Sequence, residues 1–190
     1  MAGNKRELIL DAAIEVMAEE GYYFTKMSWI ADQAGIAVGT IYNYFNSKEE
    51  VLEEIFAREF KKRLELLNEL KERRDLSVVS KVELFLVRHF EEIKRNPALG
   101  NILVREKEFP KKEGSINNYL DKLPNAIESL LVKGKESGEL DLDNPALIAA
   151  IIFGSIQGVV ERAIKSDNLE MLDEASAEII GLLKLRETNN

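Results

Sequence analysis

Two short amphipathic segments meet at a glycine in the stretch Met27 to Lys48, MSWIADQAGIAVGTIYNYFNSK, and few folds accommodate that arrangement. Met27, Ile30, Ala31 and Ala34 recur at helical spacing and make one buried side, which Gly35 stops. Val38 to Phe45 then reads as a further helix, held inward by Ile41 and Phe45, four residues apart. At about 100° per residue the opposite side carries Gly39, Thr40 and Asn43, with Tyr42 and Tyr44 on its flanks. That face is small, hydroxylic and aromatic, and it has no charge. A solvated helix surface normally carries Lys and Glu, so such a face either touches a partner or packs on the protein's own core.

Two short helices joined by a glycine turn, the second presenting polar side chains, form a helix-turn-helix. Gly39 lets a helix N-terminus approach a sugar-phosphate wall, and Thr40, Tyr42 and Tyr44 offer hydroxyls to phosphate oxygens. Asn43 and Thr40 suit base edges, an amide pairing with adenine and a threonine methyl meeting a thymine methyl. The expected partner is a double-stranded DNA operator.

Before this stretch, Lys5 to Glu20 places Leu8, Ile9, Ala12, Ala13, Val16 and Met17 on one stripe, and Gly21 follows as a left-handed cap. Tyr22 to Phe24 is an aromatic connector, and Thr25 stands where its hydroxyl could cap the next helix. This order, then IADQAG and GTIYNYFNSKEEV, closely resembles the N-terminal domain of TetR-family transcriptional regulators over about the first 55 residues. The resemblance implies that Thr25 and Lys48 hold phosphates at the starts of helices two and four, with Lys26 beside them. It also implies that Thr40, Tyr42, Asn43 and Tyr44 face the major groove. Ala37 and Val38 depart from the common pattern, removing a capping hydroxyl and a polar contact.

Composition sets limits on how such a head could bind. The 190 residues are 45% hydrophobic and 32% charged, as in ordinary globular proteins, and the formal charge is −8. Bulk electrostatic coating of nucleic acid is therefore excluded, and only Lys5, Arg6, Lys26 and Lys48 are basic among the first 48 residues. Non-specific affinity should be weak and salt-dependent. The absence of cysteine removes disulfides, thiolate chemistry and cysteine-type zinc sites and suits a cytoplasmic protein. No N-terminal run resembles a signal peptide, so export is not expected. Pro145 to Val160 is the longest apolar stretch; it falls short of the roughly 20 residues that cross a bilayer, contains Ser155 and Gln157, and reads as a deeply buried helix rather than a membrane segment.

The remainder is helical throughout, giving an all-α fold with a helix-turn-helix domain over 1–48 and an effector-binding and dimerisation domain over 49–190. Ser47 caps a long helix running towards Arg74. Val78 to Arg95 stops at Asn96-Pro97, Pro97 opens a short helix to Phe109, and Pro110 to Gly114 is a basic loop. Ser115 caps a helix from Ile116 to Glu136 that Pro124 should kink, and Gly138 ends it. Pro145 to Ile164 and Asn168 to Leu185 complete the chain. The first of these two is apolar nearly all round; Ile151, Gly154, Ser155 and Gly158, paired with Ile179, Leu182 and Leu183 of the second, predict a four-helix homodimer interface. Burial inside one chain is the alternative.

An apolar effector site is expected among Phe85, His89, Phe90, Leu103, Phe109, Tyr119 and Leu123. The segments HFEEIKRNPALGNILVREKEF, VKGKESGEL and IIFGSIQGVVERAI are more loosely similar to TetR-type repressors of fatty-acid metabolism that respond to long-chain acyl-coenzyme A. That similarity implies a tunnel for the acyl tail and cations at its mouth, with Arg88, Arg105, Lys107, Lys111 and Lys112 as candidates. His89, the sole histidine, has no second histidine or cysteine with which to form a metal site or nucleophilic dyad. No catalytic constellation, cofactor motif or metal site is found. The expectation is a ligand-responsive transcriptional repressor; the competing reading is an all-helical lipid or small-molecule binding protein that does not bind DNA.

Overall fold

The computed structural model describes residues 2–105 and 116–188, with side chains described over 5–105 and 122–188. The described residues form α1 (Ala2–Glu20), α2 (Met27–Gln33), α3 (Val38–Ile41), α4 (Lys48–Glu72), α5 (Val78–Arg95), α6 (Pro97–Arg105), α7 (Ile116–Glu136), α8 (Pro145–Lys165) and α9 (Met171–Lys184). Among them there is no strand, only an isolated bridge between Leu140 and Glu187.

The chain divides into two compact units, 1–59 with 97–116 and 60–96 with 117–190. In the first, α1 packs on α2 and α6, and α2 packs on α3. Its core holds Ile9, Leu10, Ala13, Ile14, Met17, Ile30, Ile41 and Phe45. Leu8, assigned to the apolar stripe, is 43% exposed instead. The buried arc is rotated towards Leu10 and Ile14, because α1 must cover α6 as well as α2. Arg58 of α4 reaches Glu7 and Asp11 of α1 at 2.8 and 2.9 Å and the buried Glu59 at 3.0 Å. Burial opposes the Arg58 charge, and these carboxylates outweigh it and raise its pKa.

Gly35 lies at φ 64°, with its own N–H on Asp32 O and the Ile36 N–H on Ala31 O. This is a Schellman stop, and only glycine enters that left-handed region cheaply. It ends α2 and aims α3. Where the sequence reading carried α3 to Phe45, regular α-helix ends at Ile41; Asn43 and Tyr44 close tighter turns onto Thr40 O and Ile41 O. Ile41 and Phe45 are fully buried nonetheless, as expected.

In the second unit α5 packs mainly against α9, and α8 packs on α9 and α5. Ser77 caps α5 by accepting from the Ser80 N–H, and Glu139 accepts the Val78 N–H. A second Schellman stop at Gly138, φ 75°, ends α7. Pro124 lies inside α7 as expected. The Ser115 cap and the loop Pro110 to Gly114 lie outside the described residues.

Two expectations for α8 are corrected. The helix has 21 residues and is long and apolar enough to cross a membrane by length and composition. It is also not deeply buried: Ala149, Ile152, Ile156, Val160 and Ala163 form one buried stripe, while Leu147, Ala150, Ile151, Gly154 and Gly158 lie outside it. A wheel that is apolar all round does not reveal which arc has a partner within the chain.

Candidate functional site

The geometry of the first unit begins with α3. Gly39, Tyr42 and Asn43 are exposed and Thr40 and Tyr44 half-buried, so the outer arc carries the side chains that its spacing predicts. Ala37 is the N-cap and supplies no side-chain bond. An added Cβ at Gly39 would meet nothing within 4 Å, so the fold does not demand glycine there. Arg6 of α1 steadies this segment, donating to Tyr44 O at 3.3 Å and lying over the Phe45 ring at 4.5 Å.

Thr25 and Lys48 are placed differently from their expected roles. Thr25 is 2% exposed and its hydroxyl donates to Gly21 O at 2.9 Å. The N-cap of α2 is Lys26, which makes no side-chain bond, so the capping assignment for Thr25 is corrected. Lys48 Nζ donates to the carbonyls of Tyr22, Tyr23 and Thr25 at 2.9, 2.9 and 3.2 Å and sits 4.6 Å over the Tyr22 ring. The lysine is thus a clamp on the connector between α1 and α2. The Tyr22 hydroxyl donates to Glu49 at 2.6 Å and holds that carboxyl below its ordinary range, against an opposing effect of burial. Lys26 is exposed, with its ammonium 5.0 Å over the Trp29 ring.

The described effector candidates fall in both units. Phe85, Arg88 and His89 of α5 come together in the second unit, along a groove of about 360 Å³ whose α4 wall is Lys62, Arg63 and Leu66. Leu123 is buried in the core of that unit, whereas Leu103 and Arg105 stand on α6 in the first unit. Phe109, Lys107, Lys111, Lys112 and Tyr119 lie outside the residues whose side chains are described. Arg63 carries a signal legible in the sequence, since it falls on the buried arc of α4 between Phe60 and Leu67, but its residue type alone does not mark it as a groove residue. It is 4% exposed and donates from Nε to His89 Nδ1 at 3.0 Å. Burial first, then the Arg63 charge, drives the His89 pKa well below its ordinary value, leaving a neutral acceptor. No cluster of metal-ligating residues occurs among the described residues.

On α8 and α9, Ile148, Ile151, Ile152, Ser155, Ile179, Leu182, Leu183 and Arg186 line a shallow apolar depression. Ile179 and Leu183, expected at a subunit interface, are 7% and 3% exposed because they fix α9 to its own chain. Leu147 and Leu182, at 56% and 61%, present the outer apolar surface with Ile151, Gly154 and Gly158.

A Schellman-stopped helix pair, its second member steadied from behind and uncharged in front, defines a helix-turn-helix regulator. Residues 9–55 match the family described as bacterial regulatory proteins of the tetR family, and residues 56–184 match the C-terminal region of YsiA-like proteins. The chain is 32% identical to the fatty acid metabolism regulator protein of Bacillus subtilis, covering 92% of this chain and 91% of that one. It is 27% identical to the transcriptional repressor KstR of Mycobacterium tuberculosis, over 94% and 81%. The crystal structure of FadR from Bacillus subtilis in complex with stearoyl-CoA superposes with a TM-score of 0.84, at 32% identity over 93% of this chain and 96% of that chain. The chain belongs to the TetR family and is a ligand-responsive transcriptional regulator.

Proposed function

We propose that the protein is a cytoplasmic repressor that binds a palindromic operator as a homodimer and is released by a small hydrophobic effector of the long-chain acyl-coenzyme A class. The observation that carries the DNA reading is the division of α3, with Ile41 and Phe45 buried and Gly39, Tyr42 and Asn43 outside. Thr40, Tyr42, Asn43 and Tyr44 read the major groove, and Gly39 admits the backbone to a phosphate. Lys26 supplies charge at the edge. Thr25 and Lys48 act from behind, by fixing the connector rather than by touching phosphate. Functionally the head is 1–48 and the body 49–190.

Dimerisation is supported by the exposed apolar arc of Leu147, Ile151, Gly154, Gly158 and Leu182, with Ser155 at its edge. The effector class is supported by similarity to a fatty-acid regulator and to a relative solved with stearoyl-CoA. Selection of bound duplexes from a random pool should return a palindrome with half-sites about one helical turn, roughly 34 Å, apart. In gel-shift assays, replacing Tyr42 and Tyr44 with alanine should abolish retention of that operator while the dimer persists. Undiminished retention would reject the α3 assignment. Long-chain acyl-coenzyme A should release the wild-type protein from its operator; release only by some other compound would reject the effector class.

A further inference from the structure

The groove between α4 and α5 differs from the rest of this acidic chain. Among the described residues, Lys62 and Arg63 from α4 and Arg88 and Arg95 from α5 line it beside two carboxylates, Glu91 and Glu92. Its apolar part is Leu66 and the Phe85 ring, which stacks on His89 with ring centroids 6.1 Å apart. Against a formal charge of −8 for the whole chain, this concentration of positive charge is the opposite of the molecular average. Its volume falls in the range of small-ligand sites.

The groove is a built feature at its floor and a loose one at its rim. Arg63 is held there by its bond to neutral His89, so its guanidinium direction is set before any ligand arrives. The acidic neighbours are not tightly engaged: Glu92 stands 3.7 Å from Arg63 and 4.0 Å from Lys62. Arg95 meets Glu91 at 3.3 Å, with both side chains more than half exposed. The exposed Arg95–Glu91 contact contributes little, and a multivalent anion could replace it. Arg88 is exposed and pairs with no other described residue.

We propose that this groove seats the phosphate-bearing head of the effector, with Lys62, Arg88 and Arg95 contacting the phosphates above the fixed charge of Arg63. The proposal rests on the effector reading above and assigns its anionic end to residues of α4 and α5 rather than to Lys107, Lys111 and Lys112. Phosphate fits better than a lone carboxylate, because the cations stand on two helices and a polyanion can engage both at once. An anion that draws Lys62 away from Glu92 acts directly on α4, the helix that begins beside the DNA-reading segment.

The test is calorimetric titration of the full chain with stearoyl-CoA, stearate, coenzyme A and pyrophosphate. It compares wild type, an Arg88→Ala/Arg95→Ala variant and a Lys133→Ala control on the far end of α7. The double variant should lose stearoyl-CoA affinity by on the order of tenfold or more, with a flatter dependence on salt. Its affinity for stearate should be unchanged, and Lys133→Ala should behave as wild type. Equal stearoyl-CoA affinity and salt slope in the double variant and wild type would overturn the assignment while leaving the effector class standing. An equal loss in Lys133→Ala would also overturn it, as a general effect of net charge. Wild-type binding of pyrophosphate that the double variant lacks, without any binding of stearoyl-CoA, would instead retain the anion seat and reject the effector class. Binding of neither would reject both.

Discussion

Arg63 and His89 form a buried pair in which the guanidinium donates to an imidazole that burial keeps neutral. The imidazole is neutral when folded because burial, and secondarily the guanidinium beside it, disfavours a proton. The unfolded chain takes up that proton near the ordinary value of 6.5. Below that pH the unfolded state binds more protons, so stability falls as pH is lowered, with a limiting slope of about 1.4 kcal/mol per pH unit. Above it the group contributes no pH dependence. Urea unfolding at about pH 7.5 and about pH 5.5 should therefore show a loss of stability in wild type that is smaller in His89→Gln; identical losses would show that His89 is not the group responsible. Gly39 makes a different residue-scale case. Because nothing crowds its missing Cβ, Gly39→Ala should keep or slightly raise thermal stability and weaken operator binding in a gel shift. A stability loss would mean that the fold, not DNA approach, selects the glycine.

Among the elements, α7 depends on a close approach that its sequence pattern does not announce. A Cβ on Gly134 would stand 2.9 Å from Leu140 Cδ1 and 3.3 Å from Val78 Cβ, both on buried side chains. Gly134→Ala gains about 1 kcal/mol in helix propensity, but the overpacking costs about 1–3 kcal/mol, so a net loss is expected. Denaturant midpoints with unchanged slope would measure it. An increase in stability would mean that Leu140 moves aside freely. The helix ends were the easier part to read: Gly21, Gly35, Gly138, Ser47 and Asn144 cap or stop helices where their residue types suggest, through bonds made within a few residues. Thr25 was not, since its hydroxyl turns back to Gly21 O and leaves Lys26 as the N-cap of α2.

For the whole molecule, the proposed dimer surface on the outer arc of α8 and α9 is distinct from the residues that fold the chain. Leu147, Ile151 and Leu182 are exposed, while Ile179 and Leu183 are buried in the same chain. Ile151→Lys should leave thermal stability of the monomer nearly intact yet shift the protein from dimer to monomer in sedimentation, because a charge placed opposite its own symmetry copy cannot be paired there. Operator affinity should drop with it, as two half-sites are no longer joined. Leu183→Ala should destabilise the chain by about 2–5 kcal/mol, the cost of a buried leucine cavity. If Ile151→Lys remains dimeric, the interface lies elsewhere.

By itself, the sequence determined the all-helical class, the helix-turn-helix and the side of α3 that faces outward. Each of these follows from residues three or four apart and from glycines at helix ends, which are local. Only the tertiary structure decided what joins residues distant along the chain. It put Lys48 on the connector's carbonyls, Arg63 on His89 and four cations on one groove, and it chose which apolar arc of α8 to cover. Apolar periodicity states that a helix has a face to bury; the packing of the other helices settles which groups meet there, and which remain at the surface for DNA, effector or a second chain.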